Sequence, residues 1–179
     1  MGTLKHGFFS GLTLIAACTA VPKGDKVGLT SLMKELRAAQ LTGDTATAAR
    51  ITRGLIPNEA RIRLGLRTGN DDMAKAIASI YARLPTDDGA WAGAFAAPAG
   101  NTEVQVHAAT TEELATNAGS GEFPGGARRV AKAILKPQTT YYEVEFVKPG
   151  HSAGMKYHLF FWDGSAWCML GPVWRRMKE

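Results

Sequence analysis

Cysteine is the first scarcity: the 179 residues contain two, Cys18 and Cys168. So few exclude a scaffold built on disulfides, and the fold must rest on a hydrophobic core. No CxxC occurs, and no two histidines stand at the i, i+4 spacing of a helical zinc pair. No metal site or cofactor is therefore expected, and a metal set would need residues converging from distant parts of the chain. Long apolar runs are lacking too, since no stretch approaches the roughly 20 residues of a membrane-spanning helix. Internal repeats and low-complexity tracts are also absent.

What is present begins with a short basic start at Lys5 and His6, followed by an uncharged stretch from Gly7 to Ala17. The chain then turns polar at Pro22, Lys23, Gly24, Asp25 and Lys26. A basic start, an apolar centre of about 7–15 residues and small residues at the end are the parts of an export signal. A buried N-terminal helix is the competing reading. Ile15-Ala16-Ala17-Cys18 resembles the lipobox of bacterial lipoproteins, with Ile15 where leucine is usual. The resemblance implies that Cys18 is lipidated and becomes the first mature residue, so that the chain joins the bacterial membrane through a lipid anchor. Thr19 after the cysteine then implies the periplasmic side of the outer membrane. A signal-peptidase cut after Cys18-Thr19-Ala20 is the alternative, giving a secreted or periplasmic protein. The expected organisation is a signal peptide over 1–17, a tether over 18–28 and one domain over 29–179.

Removing residues 1–17 leaves 162, the size of a single domain able to bury about 68–70% of its unfolded surface. The net charge is +5 and falls to +4 when Lys5 departs with the signal. The basic residues are scattered (Arg50, Arg53, Arg61, Arg63, Arg67 and Arg83) and read as solvated helix faces. A nucleic-acid partner is rejected on that ground. Weak, salt-sensitive attraction to anionic lipid or cell wall fits better.

The first half has helical period. Leu29, Leu32, Met33 and Leu36 share one face, Gly43 suits a C-terminal cap and Asp44 the next N-cap. Further helices are expected over 45–55, 59–66 and from Asp71 to Leu84, with a loop over 86–101 anchored by Trp91 and Phe95. The second half alternates with the period of strands. "TEVQVHA" puts Val104 and Val106 opposite Glu103, Gln105 and His107, and "TTYYEVEFV" puts Tyr142, Val144 and Phe146 opposite Tyr141, Glu143 and Glu145. Thr110-x-x-Glu113 reads as a capping box, and "MKYHLFFWDGSAWCMLG" as a hairpin turning at Asp163-Gly164. The fold expected is α+β: helices over 29–84 packed on a mostly antiparallel curved sheet within the strand-rich 102–176.

"LMKELRAAQLTGDTATAARITRGLIP" resembles the opening helix-Gly-Asp-helix of nuclear-transport-factor-2-like cone folds. "YYEVEFVKPGHSAGMKYHLFFWDGSAWCMLG" is similar to their closing meander. Together these cover about a third of the chain, and residues 58–100 hold more helix than that family places there. The resemblance implies a pocket between sheet and helices, for which Tyr142, His158, Phe160, Trp162 and Trp167 are the candidates. None of the family's catalytic sets is recognisable. His158 or Tyr142 would be the acid–base group if there were one.

His158 and Cys168 make a conceivable dyad, but strand alternation separates them. It puts His158 with Phe160, Trp162, Trp167 and Met169, and Cys168 with Tyr157, Leu159 and Phe161; only a bulge would change this. Cys168 reads as core. Glu143 and Glu145 point the same way on one strand, which loosely suits paired carboxylates, but they read first as a solvated strand face. Gly125 and Gly126 before a helix, with Arg128 and Arg129, form a candidate anion site or a plain turn. The function expected is a non-enzymatic envelope domain binding a small molecule or another envelope protein. An enzyme using the pocket and a structural subunit without one are the alternatives. A solvent-reachable His158 favours the first two, a sheet face filled by Trp162 and Trp167 the third. Turnover lost on His158→Ala but kept on Cys168→Ala would mark the enzyme.

Overall fold

The computed structural model describes residues 24–84, 86–118 and 121–177. Cys18 and the expected lipobox and export signal lie outside these residues. Helix α1 (Lys26–Thr42) begins where the Asp25 carboxylate accepts from the Gly28 N–H at 2.8 Å. This cap starts the fold earlier than the tether expected to run to residue 28, and a side chain at Gly24 would already collide with the Trp162 ring. Leu29, Met33 and Leu36 are buried, as their spacing requires. Gly43, at φ 74°, closes α1, and Asp44 caps α2 (Thr45–Leu55) by accepting from Thr47 N–H.

Asn58 caps α3 (Glu59–Leu64). Helix α4 (Asp71–Tyr81) stops short of Leu84, because Arg83 and Leu84 bond three residues back in tighter turns ahead of Pro85. The stretch expected as loop over 86–101 contains α5 (Asp88–Gly93), raised by Asp87 capping the Ala90 N–H. Phe95 does anchor the remainder, and Trp91 lies half-buried beneath the Arg53 guanidinium. Arg37 is the unexpected anchor. It is buried, and its guanidinium donates to the carbonyls of Pro98, Ala99 and Asn101.

Strand β1 (Glu103–Thr110) runs into α6 (Thr111–Thr116) through the capping box, in which Glu113 reaches back to the Thr110 N–H. Helix α7 (Gly125–Ala133) follows, then β2 (Thr140–Val147), β3 (Gly154–Trp162), β4 (Trp167–Met169) and a 3-10 turn at Val173–Arg176. The strands lie in chain order β1-β2-β3-β4, every pair antiparallel. The protein is therefore α+β, with N-terminal helices on a curved antiparallel sheet that does not close. Among the described residues no helix is long and apolar enough to cross a membrane.

Both faces of the sheet are covered. On one, Val106, Tyr142, Val144, Phe146, Phe160 and Trp167 pack with Leu29, Met33 and Leu36 of α1 and Ile51 and Leu55 of α2. On the other, Tyr141, Leu159, Phe161 and Cys168 pack with α3, α4, α6 and α7. An isolated bridge between Leu66 and Leu135 ties the ends of α3 and α7 together on this side. Strand β2 sits between β1 and β3 with every residue from Tyr141 to Val147 buried. That burial places charge where the sequence led us to expect solvent.

Candidate functional site: a buried carboxylate, histidine and lysine row

Glu143 and Glu145 were expected on a solvated strand face, yet their relative exposures are 0% and 1%. The correction has a local cause. Neighbouring strands raise polar side chains beside them, and the segment before α7 closes over the row through Glu122. Register does the rest: His107 pairs across from Glu143, and Lys156 across from Glu145. Charges buried in this way must be paired or bind a cation.

Each carboxylate is held differently. Glu143 Oε2 lies 2.6 Å from His158 Nδ1, and its Oε1 is 2.9 Å from the Lys156 ammonium. That ammonium is misaligned for a hydrogen bond, so Glu143 Oε1 has an ion pair without one. Glu145 Oε1 accepts from the Gly154 N–H. Its Oε2 is buried with no hydrogen-bond partner, 3.5 Å from Lys156 Nζ and 3.9 Å from His107 Nε2, itself buried and unpartnered. Lys156 also reaches Glu122, at 3.1 Å to Oε2 and 3.0 Å to the carbonyl. Burial pulls the Lys156 ammonium towards neutrality, but its close contacts with the Glu143 and Glu122 carboxylates outweigh it and raise the group above its ordinary value. The same lysine holds Glu122 below the usual carboxylate range.

His158 reaches this row because β3 contains a bulge. Tyr157 pairs with Val144 and Phe160 with Tyr142, so His158 and Leu159 together stand opposite Glu143. Leu159 takes φ 58° to make the turn. The expected alternation therefore fails at one point. His158 leaves the row of Phe160, Trp162 and Trp167 and joins the side of Leu159, Phe161 and Cys168, while Tyr157 crosses the other way to pack with Phe95 and Phe146. Trp174 of the 3-10 turn covers it edge-on, with ring centroids 5.2 Å apart. Gly126 permits that cover, since a Cβ there would collide with the Trp174 ring.

The remaining pocket candidates lie on the sheet face away from His158. Tyr142, Phe160 and Trp167 are core, and Trp162 lies half-buried against Trp167 at 5.4 Å. The Tyr142 and Trp167 rings meet edge-on at 5.1 Å. Cys168 is buried, as expected, and burial pushes its thiol up to about 12, which makes it a poor nucleophile. Gly125 and Gly126 form the first turn of α7, with Arg128 and Arg129 exposed. Packing against Trp174 explains Gly126 without an anion. Arg61 departs from the expected solvated face, while Arg67 stays exposed. Arg61 pairs with Asp163 at 2.5 Å, and Arg67 donates to the carbonyls of Leu135 and Ala131.

Sequence reading passed over one pattern. Gly150-His151-Ser152-Ala153-Gly154 has the GxSxG form of a nucleophile elbow. That elbow needs a strand, a sharp turn and then a helix. Here the segment is the exposed turn between β2 and β3, with Gly150 at φ 78°, so it is hairpin chemistry. Clefts of about 360 Å³ beside α1, α2 and α5, and about 280 Å³ beside α4 and the C-terminal turn, are lined by other residues than the charged row.

Compared with known proteins, the chain matches no family model, and no curated protein or solved structure is similar to it. The functional reading therefore rests on the geometry above.

Proposed function

We propose that this chain is an exported, lipid-anchored domain of the bacterial cell envelope that binds a small cationic ligand and does not transform it. One observation carries the binding half: buried Glu143 and Glu145, with Glu122 beside them, face a single lysine, and Glu145 Oε2 lacks a hydrogen-bond partner. A carboxylate row with that deficit attracts cations. The row residues line neither of the two clefts described above, which favours a small ligand over an extended organic substrate. The lipobox-like Ile15-Ala16-Ala17-Cys18 carries the export half, with few residues between Cys18 and the start of α1 at Lys26. The Glu143–His158 pair favours the enzyme as the second reading, since a carboxylate on Nδ1 orients the imidazole for acid–base work.

The test has two arms on the full-length chain in a bacterial host. Wild type should fractionate with membranes and carry a diacylglyceryl mass adduct that Cys18→Ser lacks. Purified protein should gain thermal stability from at least one of a panel of divalent metal ions, polyamines and organic ammonium ions. An unprocessed, soluble wild type overturns the export half. No stabilisation by any cation overturns the binding half.

A further inference from the structure

We infer that the charged row is a site for one divalent transition cation of the zinc class, ligated by His107, Glu145 and Glu122, with the Lys156 ammonium standing in the cation's place. The inference rests on the binding reading above and names its ligand. His107, Glu122 and Glu145 each offer one ligand atom, and these lie within 4.8 Å of one another. Two of the three are pre-positioned by strand register, on β1 and β2. His107 Nε2 and Glu145 Oε2 are buried, without hydrogen-bond partners, and 3.9 Å apart. Two ligands at about 2.1 Å from a tetrahedral ion stand roughly 3.4 Å apart, so a small contraction closes the pair. Glu122, exposed on its connecting segment, is free to supply the larger movement.

The supporting contacts have the form of a metal site's outer shell. The Gly154 N–H holds Glu145 Oε1 and so fixes which oxygen remains open. A nitrogen ligand with two carboxylates selects zinc-class ions over calcium or magnesium, which ask for six or more oxygens or for an octahedron that keeps its water. Lys156 is the cation that the protein itself brings to the row. Its Nζ lies 2.9 Å from Glu143, 3.1 Å from Glu122 and 3.5 Å from Glu145, near the focus of the negative charge. It is on a flexible stem, and its side chain is 28% exposed, so it can withdraw to solvent when a stronger cation arrives. The carboxylates outnumber it three to one, which leaves a deficit suited to a double charge.

The experiment is calorimetric titration of chelator-treated, full-length protein in detergent with Zn²⁺, with circular dichroism to confirm that each variant is folded. Wild type should take up one equivalent. His107→Ala and Glu145→Gln should lose that uptake, and His107→Ala carries the test should the buried Glu145→Gln fail to fold. Lys156→Met should bind tighter by roughly tenfold or more, because a repelling charge a few ångströms away is gone. No zinc uptake by either wild type or Lys156→Met overturns the inference. So does uptake that neither His107→Ala nor Glu145→Gln diminishes. Stabilisation by a polyamine or ammonium ion without zinc uptake sinks the metal and leaves the binding reading standing.

Discussion

Asp163 does several jobs with one carboxylate. Its Oδ1 accepts from the Ser165 and Ala166 N–H groups and the Ser165 hydroxyl, each at 2.8 Å, and so shapes the β3–β4 turn. Its Oδ2 pairs with Arg61 at 2.5 Å and ties α3 to that turn. The side chain is 2% exposed. Burial by itself would raise the carboxyl, but the Ala166 N–H, Arg61 and Ser165 outweigh it and hold the group well below the usual carboxylate range. A lowered folded pKa contributes stability above the unfolded value, near 3.9, and loses it as pH falls through the folded value. Asp163→Ala should therefore cost about 3 kcal/mol at neutral pH, the low end for breaking a buried pair because Arg61 is partly exposed. Urea titrations near pH 7 and near pH 2.5 check this. The gap between wild type and variant should narrow in acid, and an equal gap at both would show that the ionised carboxylate is not its source.

Helix α7 shows how an element is tuned by what lies on it. Gly126 in its first turn costs up to about 1 kcal/mol of helix propensity relative to alanine. Trp174 occupies the space that a Cβ would take, and from there it covers His158. Gly126→Ala should gain the propensity and lose more in displaced packing, for a net loss of about 1–2 kcal/mol in urea unfolding. A variant as stable as wild type or more so would mean that Trp174 moves aside freely and does not seal the row. The bulge in β3 is the other element-scale device. Leu159 takes a left-handed φ with no glycine to announce it, which is why alternation misplaced Tyr157 and His158 while placing Phe160, Trp162 and Cys168 correctly. By contrast Asp44, Asn58 and the Thr110–Glu113 box were legible, since a cap is a bond between residues three apart.

Across the whole molecule, β2 joins the two cores. Val144 and Phe146 belong to the core under α1 and α2, and Tyr141 to the one under α3, α4 and α7. Neither core can open without exposing a strand that the other needs. Unfolding in urea should therefore be one cooperative transition. Helix content followed by circular dichroism should lose half its signal at the same urea concentration as tryptophan fluorescence, since the tryptophans sit in both cores. Two separated midpoints would mean that the helical layers melt independently.

The sequence by itself determined the local features: every helix but α5, the strands in their order, most of the caps, the Asp163-Gly164 turn and the α+β class. Each follows from hydrophobic period or from hydrogen bonds between near neighbours, which need no knowledge of the rest of the chain. Only the tertiary structure decided that Glu143 and Glu145 are buried, that His158 changes sides, and that His107, Glu122 and Glu145 meet. Alternation says which residues share a face, but not what will cover that face. Here the cover comes from Trp174 and Glu122, which lie outside the strand they close over and on either side of it in the chain. That long-range covering turns a polar strand face into a charged interior.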